Sequence, residues 1–150
     1  MTTLHHSIKS FWDERAHKFT TNPQATFGEM PLRRLEISTV VKFLKRYRPR
    51  LVLDVGCGNG YSTAYYASKF PATSFVGVDY SEAMINNAQT RRLPNCKFAV
   101  ANVLDPSSFP AESFDIVLTQ RCIQNLPDYP AQRAAIENLW QRRPPTGWFG

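Results

Sequence analysis

The sequence predicts an α/β fold built on a doubly wound parallel sheet, and three observations lead to this prediction. Short segments rich in Val, Leu, Ile and Phe alternate with segments of helical length along the chain. The first apolar segment runs directly into a glycine-rich turn, residues 56–60. The chain has 150 residues, 43% of them hydrophobic, which is enough for one domain with a sizeable core and too little for two.

The first 48 residues predict two helices, which we expect to form a lid or cap over residues 49–150. Residues 11–19 have the pattern of a short amphipathic helix. Pro31 suits the first turn of a second helix that runs toward Tyr47, because the first turn does not use the missing N–H group. The apolar positions of this second helix are Leu32, Leu35, Val40, Phe43 and Leu44.

Residues 49–150 predict four strands that alternate with helices. The predicted strands are residues 51–55, 74–79, 98–101 and 114–118. Between and after them, helices are predicted at residues 61–70, from the N-cap Ser81 onward, and from about Pro130 to Gln141. Strands joined in this way pair in parallel, so we expect the first four strands of a doubly wound sheet.

The C-terminal segment, residues 142–150, contains Pro144 and Pro145 and interrupts the last helix where another strand would be expected. We therefore expect the C-terminal strands of the sheet to be missing and the core to be incomplete. An uncovered strand edge can pair with another chain. Self-association through this edge of the sheet is the resulting prediction.

Composition and charge argue against several other classes of protein. The formal net charge is +6, but the basic residues are dispersed and several lie near predicted helix C-termini, which favours solvated helices over a nucleic-acid partner. No apolar run approaches the roughly 18 residues of a membrane span, so we expect no membrane partner. Three cysteines without a C-x-x-C pair predict no metal site, and they favour free thiols in the cytoplasm.

Two aspartates lie near the glycine-rich turn, and one of them, Asp54, indicates which ligand suits it. Asp54 lies two residues before Gly56, and Asp79 ends the second predicted strand. A dinucleotide would place its pyrophosphate against this turn, where the carboxylate of Asp54 would repel it. S-adenosylmethionine has no phosphate and carries an ammonium and a sulfonium, so it suits an acidic neighbour. The G-x-G-x-G spacing also lacks the third glycine of the dinucleotide pattern, whereas a ribose-binding Asp79 fits both ligands.

Four segments resemble, in order, the four motifs of class I S-adenosylmethionine-dependent methyltransferases, which have a Rossmann-like sheet. These segments are Leu53 to Gly60, Gly77 to Met84, Ala101 to Asp105 and Ser113 to Gln120. The resemblance implies an enzyme that transfers a methyl group to an oxygen, nitrogen or carbon atom of an acceptor. Thr119-Gln120-Arg121-Cys122 stands where amino-methylating nucleic-acid relatives carry Asn-Pro-Pro-Tyr or Asp-Pro-Pro-Tyr, which favours a small-molecule acceptor.

The resemblance also implies which residues would contact the cofactor. Gly56 and Gly58 would contact the methionine part through their backbone, with Asp54 near the ammonium. Asp79 would hold the ribose. Arg15, on the N-terminal helix, resembles part of a lid that closes on the methionine carboxylate in some relatives.

The other implied contacts concern the adenine and the methyl group. Tyr80 and Met84 would lie against the adenine ring, the amide of Asn102 would accept from its amino group, and the Val103 N–H would donate to the ring. Gln120 would line the cofactor near the methyl group.

Other interpretations of these features stay open. Tyr80 and Met84 also suit ordinary packing, and Arg15 also suits a surface ion pair. No general base is identified, because methyl transfer from a sulfonium depends mainly on aligning donor and acceptor. Two further functions remain: a truncated, non-catalytic module that binds the cofactor or a partner, and a nucleic-acid methyltransferase suggested only by the charge.

Overall fold

A four-stranded parallel sheet lies at the centre of the fold. The computed structural model describes residues 3–109 and 113–142. The strands are β1 (Leu51–Val55), β2 (Ser74–Asp79), β3 (Cys96–Val100) and β4 (Ile116–Thr119), in the order β3-β2-β1-β4. Leu53 lies opposite Val76 on β2 and Val117 on β4. The predicted parallel α/β sheet is confirmed.

Two strands begin at other residues than predicted. β3 begins at Cys96 rather than at residue 98, and β4 begins at Ile116 rather than at residue 114. The two residues before β4 make other contacts instead of strand pairing. Phe114 is fully buried, and the carboxylate of Asp115 accepts hydrogen bonds from the N–H groups of Arg50 and Leu51. This segment therefore anchors the start of β1 before the strand pairing begins.

Five helices surround the sheet in the described part of the chain. They are α1 (Thr3–Phe19), α2 (Met30–Tyr47), α3 (Tyr61–Lys69), α4 (Glu82–Gln89) and α5 (Tyr129–Trp140). Ser81 caps α4 as predicted, since its Oγ accepts from the Met84 N–H at 3.1 Å. Helix α1 begins earlier than the predicted residue 11. None of the described helices is long and apolar enough to cross a membrane. The predicted C-terminal interruption, from residue 143 onward, lies outside the described residues.

Helices cover both faces of the sheet, as a doubly wound topology requires. Side chains alternate along a strand, so Val52 and Leu53 point to opposite faces. Val52 packs in one cluster with Leu44 of α2 and Tyr66 of α3. Leu53 packs in the other cluster with residues of α5, such as Leu139.

Helix α2 turns only some of its apolar positions to the sheet. Leu32, Leu35 and Phe43 are three of these apolar positions, and they are 40%, 61% and 42% exposed. Leu44 is buried, and Ile37, Val40 and Val41 pack around the same cluster. Arg33 lies one helical turn before Ile37 on the same inward face, and it is 7% exposed.

Helix α1 and the turn that follows it are hydrogen-bonded to α4 and to the loops that follow β1 and β2. The Ser81 Oγ donates to Asp13 Oδ1 at 2.5 Å, and Asn87 Nδ2 donates to the carbonyl of Ala16 at 2.9 Å. Asn59 Nδ2 donates to the carbonyls of Thr20 and Asn22, both at 2.8 Å. The division into residues 1–48 and 49–150 stays a prediction, and these bonds join its two parts.

Candidate functional site

A cavity opens at the carboxyl ends of β1, β2 and β4, beneath α1 and α2. This is the edge at which parallel α/β sheets bind ligands. Nine of the ten residues predicted to contact a cofactor line it: Asp54, Gly56, Gly58, Asp79, Tyr80, Met84, Asn102, Val103 and Gln120. The tenth, Arg15, does not belong to the lining. The order of the strands therefore brings together motifs that are far apart in the sequence.

The glycine-rich turn lets the backbone itself form one wall of the cavity. Gly56 and Gly58 have φ angles of 78° and 55°, a region that residues with a side chain rarely adopt. A Cβ atom at Gly58 would collide with the side chain of Thr26, and one at Gly56 would collide with Cys122. The Gly56 N–H also donates to the carbonyl of Val78 at 2.8 Å, which holds the turn against β2.

The carboxylate of Asp79 is fixed by backbone donors on both oxygens. Oδ2 accepts from the Gly58 N–H and Oδ1 from the Ser81 N–H, each at 2.9 Å. Burial raises the pKa of Asp79, and these backbone bonds act in the opposite direction. Because each carboxylate oxygen can accept a second hydrogen bond, Asp79 can bind two ligand hydroxyls without moving.

Asp54 is a buried carboxylate at the floor of the cavity. Its side chain is 3% exposed, and Oδ2 accepts from Thr63 Oγ1 at 2.6 Å. Burial raises the pKa of Asp54 to about 6, the Thr63 hydroxyl opposes the rise, and the charge of Asp79 adds to it. A cation in the cavity would stabilise the ionised form of this carboxylate.

The residues predicted near the adenine ring already have protein contacts. Met84 is 1% exposed and packs with Ala16 and Ala25 beneath the N-terminal helices. Asn102 Oδ1 accepts from the Leu104 N–H at 3.0 Å, and the Val103 carbonyl accepts from Asn138 at 3.0 Å. These bonds fix the loop after β3, so its remaining polar groups keep a constant position.

Gln120 is fixed from the side of α3. The hydroxyl of Tyr66 donates to Gln120 Oε1 at 3.1 Å. Burial raises the pKa of Tyr66, so this hydroxyl stays protonated and acts as a donor. Gln120 therefore lines the cavity with its amide nitrogen still able to donate.

Arg15 is directed away from the cavity and toward the short 3₁₀ turn Pro23–Ala25. Its Nε donates to the carbonyl of Ala25 at 2.7 Å, and its Nη2 donates to the carbonyl of Gln24. The guanidinium also lies 4.9 Å from the ring centroid of Phe19. These turn carbonyls already engage the guanidinium, so Arg15 does not line the cavity, and its contact with the methionine carboxylate stays a prediction.

Arg33 is the cavity arginine that sequence reasoning missed. It is 7% exposed, its Nη2 donates to Thr26 Oγ1 at 2.7 Å, and its Nη1 lies 3.4 Å from Ser62 Oγ. Its Nε is buried without a hydrogen-bond partner. Burial lowers the pKa of Arg33, and the charge of Glu36 opposes this. The signal in the sequence is the position of an arginine on the same helical face as Ile37 and Leu44.

A second arginine reaches the cavity from the residue after Gln120. Arg121 has a φ angle of 60°. Its Nε and Nη2 donate to Glu36 Oε1 at 3.0 and 2.5 Å, and its guanidinium carbon lies 3.5 Å from the ring centroid of Phe27. Arg121, Glu36 and Phe27 all line the cavity.

Comparison with known proteins connects this geometry to a family. Residues 52–147 match the family model described as a methyltransferase domain. The trans-aconitate 2-methyltransferase of Deinococcus radiodurans is 36% identical over 96 residues, which are 64% of this chain and 34% of that protein. The enzyme of the same name from Methylobacterium radiotolerans is 40% identical over 81 residues, 54% of this chain and 30% of its own length. The chain therefore spans about a third of the length of these relatives.

Solved structures show the same fold. The S-adenosylmethionine-bound amino pentose methyltransferase CalS10 from Micromonospora echinaspora is 25% identical with a TM-score of 0.63, covering 73% of this chain and 46% of CalS10. The N-methyltransferase NodS from Bradyrhizobium japonicum, solved with S-adenosylhomocysteine, is 24% identical with a TM-score of 0.67, covering 78% of this chain and 59% of NodS. The likeness to NodS is one of fold.

Proposed function

The chain belongs to the methyltransferase domain family, and from this premise we propose that it binds S-adenosylmethionine for methyl transfer to an oxygen, nitrogen or carbon atom of a small-molecule acceptor. The observation that carries the proposal is the shared cavity of the glycine-rich turn, Asp54 and Asp79. The chain spans about a third of the length of the curated relatives it matches. The activity of the whole protein is therefore part of this proposal.

The cofactor would lie with its charges matched to the cavity. The two oxygens of Asp79 would accept from the ribose hydroxyls, and Asp54 would stabilise the ammonium. The methionine carboxylate would bind Arg33, whose Nε is buried without a partner, near the N-terminus of α3. Arg33 thus takes the role that sequence reasoning gave to Arg15.

The remaining contacts follow from the lining of the cavity. Tyr80 and Met84 would pack on the adenine, and the loop with Asn102 and Val103 would hydrogen-bond its edge. Gln120 would face the methyl group. Each of these five residues lines the cavity, which supports the assignment.

Methyl transfer from a sulfonium depends more on the alignment of donor and acceptor than on a reactive side chain. A nucleophilic atom of the acceptor bonds to the methyl carbon, the carbon–sulfur bond breaks, and its electron pair stays on sulfur to give S-adenosylhomocysteine. Holding donor and acceptor in line contributes up to about 7–11 kcal/mol of barrier reduction in favourable cases. Binding of both molecules beneath α1 and α2 would supply this alignment and exclude water.

Two of the similar proteins are named for small-molecule substrates, trans-aconitate and an amino pentose, which supports a small-molecule acceptor. The three cysteines are free thiols, which supports a cytoplasmic location. A non-catalytic binding module and a nucleic-acid methyltransferase are the alternatives. Turnover of S-adenosylmethionine would exclude the non-catalytic module. A steep salt dependence of RNA or DNA binding would favour the nucleic-acid methyltransferase.

Isothermal calorimetry tests the cofactor assignment. We expect S-adenosylmethionine and S-adenosylhomocysteine to bind with similar affinity and nicotinamide dinucleotides not to bind. Asp79→Ala should weaken binding about ten- to a hundredfold, because hydrogen bonds to a charged group are lost. Glu14→Ala, which removes an exposed carboxylate of α1, is the matched control and should bind as the parent does. Tight binding of a nicotinamide dinucleotide, or an unchanged Kd in folded Asp79→Ala, would overturn the assignment.

A further inference from the structure

Arg121 combines backbone strain with a position at the cavity wall. It directly follows Gln120, and its φ of 60° lies in the left-handed region. Such a conformation costs a residue with a side chain about 1–3 kcal/mol, and strained residues of this kind cluster at ligand-binding positions. The guanidinium reaches Glu36 on α2, and both residues line the cavity.

Two neighbours hold this guanidinium in one orientation. Glu36 accepts from Nε and Nη2 on one edge, and the ring of Phe27 covers one flat face at 3.5 Å. The Nη1 group is on the other edge of the planar fork. A guanidinium fixed in this way suits a carboxylate, because a charged N–H donor held in one orientation makes a strong hydrogen bond to a carboxylate oxygen.

The charge of the surrounding wall favours an anion. Arg33 and Arg121 both line the cavity, and Glu36 is the carboxylate that lies between them. Arg121 is close enough that its charge acts on Arg33 in the same direction as burial, toward a lower pKa. The three side chains carry a net charge of +1, which the methionine carboxylate proposed for Arg33 would neutralise. What remains for a second ligand is the set of Arg121 N–H donors that Glu36 does not occupy.

We propose that the acceptor is a small carboxylic acid and that Arg121 binds its carboxylate beside the methyl group. This inference rests on the proposed function. One carboxylate oxygen accepts from Arg121, and the other bonds to the methyl carbon while the carbon–sulfur bond breaks and its electron pair stays on sulfur. The products are a methyl ester and S-adenosylhomocysteine, and no proton is removed. The reaction therefore needs no general base. The cavity carboxylates Asp54, Asp79 and Glu36 are already hydrogen-bond acceptors within the protein.

The test begins with S-adenosylhomocysteine and the unaltered chain, so that a failure of the proposed function is seen first and separately. Succinate and trans-aconitate are then titrated into the chain saturated with S-adenosylhomocysteine, with succinamide as the uncharged analogue. We expect both carboxylates to bind and succinamide not to bind. Binding of S-adenosylhomocysteine without binding of either carboxylate would overturn the inference and leave the proposed function intact.

Variants assign the binding to Arg121. Arg121→Asn keeps a residue that tolerates positive φ and should weaken carboxylate binding about ten- to a hundredfold, with S-adenosylhomocysteine binding unchanged. The double variant Glu36→Gln/Arg121→Asn removes both charges, so that no carboxylate is left unpaired if the single variant fails to fold. Arg133→Gln, in an exposed pair of α5, is the matched control and should bind carboxylates like the parent. Undiminished carboxylate binding in either folded Arg121 variant would contradict the inference.

Discussion

At the scale of single residues, the buried carboxylate of Asp54 links ligand binding to pH. Its pKa is raised from 3.8 to about 6, so the folded protein binds a proton here that the unfolded chain releases at lower pH. Ionised Asp54 therefore opposes folding above pH 6, and this contribution disappears as the pH falls toward 4. A bound ammonium or sulfonium reverses the preference, because it stabilises the ionised carboxylate.

We therefore predict that cofactor affinity falls about tenfold between pH 7.5 and pH 5, since a proton must leave Asp54 before the cation binds. Asp54→Asn should bind more weakly at pH 7.5 and lose the part of the pH dependence centred near 6. The same variant should raise the melting temperature of the unliganded chain at pH 8 and leave it nearly unchanged at pH 4. Calorimetry and thermal melts across this range provide the measurements.

Thr63→Val serves as the companion variant, because the Thr63 hydroxyl is the group that lowers the pKa of Asp54. Without it, the midpoint of the pH dependence should move above 6. An identical pH profile in the parent and in Asp54→Asn would show that this carboxylate does not face the bound cation.

Where a motif constrains the backbone, the sequence predicts which residues line the cavity. Asp54, Gly58 and Asp79 follow directly from their positions at strand ends, and all line the cavity. Arg15 was assigned only through the resemblance, and Arg33 was not predicted, because both lie on helices whose orientation depends on packing. Arg33 points inward because of the face that α2 turns to the sheet. The apolar pattern of α2 does not identify that face, since Leu32 and Leu35 are exposed.

At the scale of elements, the turn after α1 is fastened to the glycine-rich turn by one fully buried amide. Asn59 donates to the carbonyls of Thr20 and Asn22, and Arg91 donates from Nε to the carbonyl of Asn59 and from Nη2 to that of Thr21. The N-terminal helices therefore depend on the loop that borders the cavity. This tie was not predictable, because an asparagine between two glycines has the same sequence pattern whether its side chain is solvated or buried.

Asn59→Ala should release this tie. We expect a loss of about 2–3 kcal/mol of stability, since two carbonyls lose a donor in a buried site, and faster hydrogen exchange in α1 than in β1. Asn86→Ala, at an exposed position of α4, is the matched control and should leave both quantities unchanged. Unaltered exchange in α1 of the Asn59 variant would mean that other contacts, such as the bond between Ser81 and Asp13, hold the helix in place.

Whole elements were predicted with different success for a physical reason. β1 and β2 were predicted to the residue, because a buried parallel strand is a continuous apolar segment with sharp ends. β4 was misplaced, since Phe114 is as apolar as a strand residue yet packs before the pairing starts. Burial and strand pairing are separate properties, and hydrophobicity reports only the first.

At the scale of the whole molecule, β4 is the edge of the sheet on the side away from β2. It pairs with β1, and no described strand lies on its other side. The chain just after α5 returns to the start of this edge, where the Phe114 N–H donates to the carbonyl of Arg142 at 2.8 Å. Unpaired backbone groups on an edge strand need a partner, and the side chains of Ile116, Val117 and Leu118 are only partly buried.

We predict that the 150-residue chain either self-associates through β4 or is marginally stable alone, with the cofactor raising its stability by mass action. A cofactor concentration a hundred times the Kd would add about 2.7 kcal/mol. Light scattering and thermal melts at several protein concentrations test the association. Hydrogen exchange locates it, because the outward amides of β4 should gain protection as the concentration rises, while those of β2, which is paired on both sides, should not change. A monomeric chain with a high, concentration-independent melting temperature would show that the edge of β4 is covered within the chain itself.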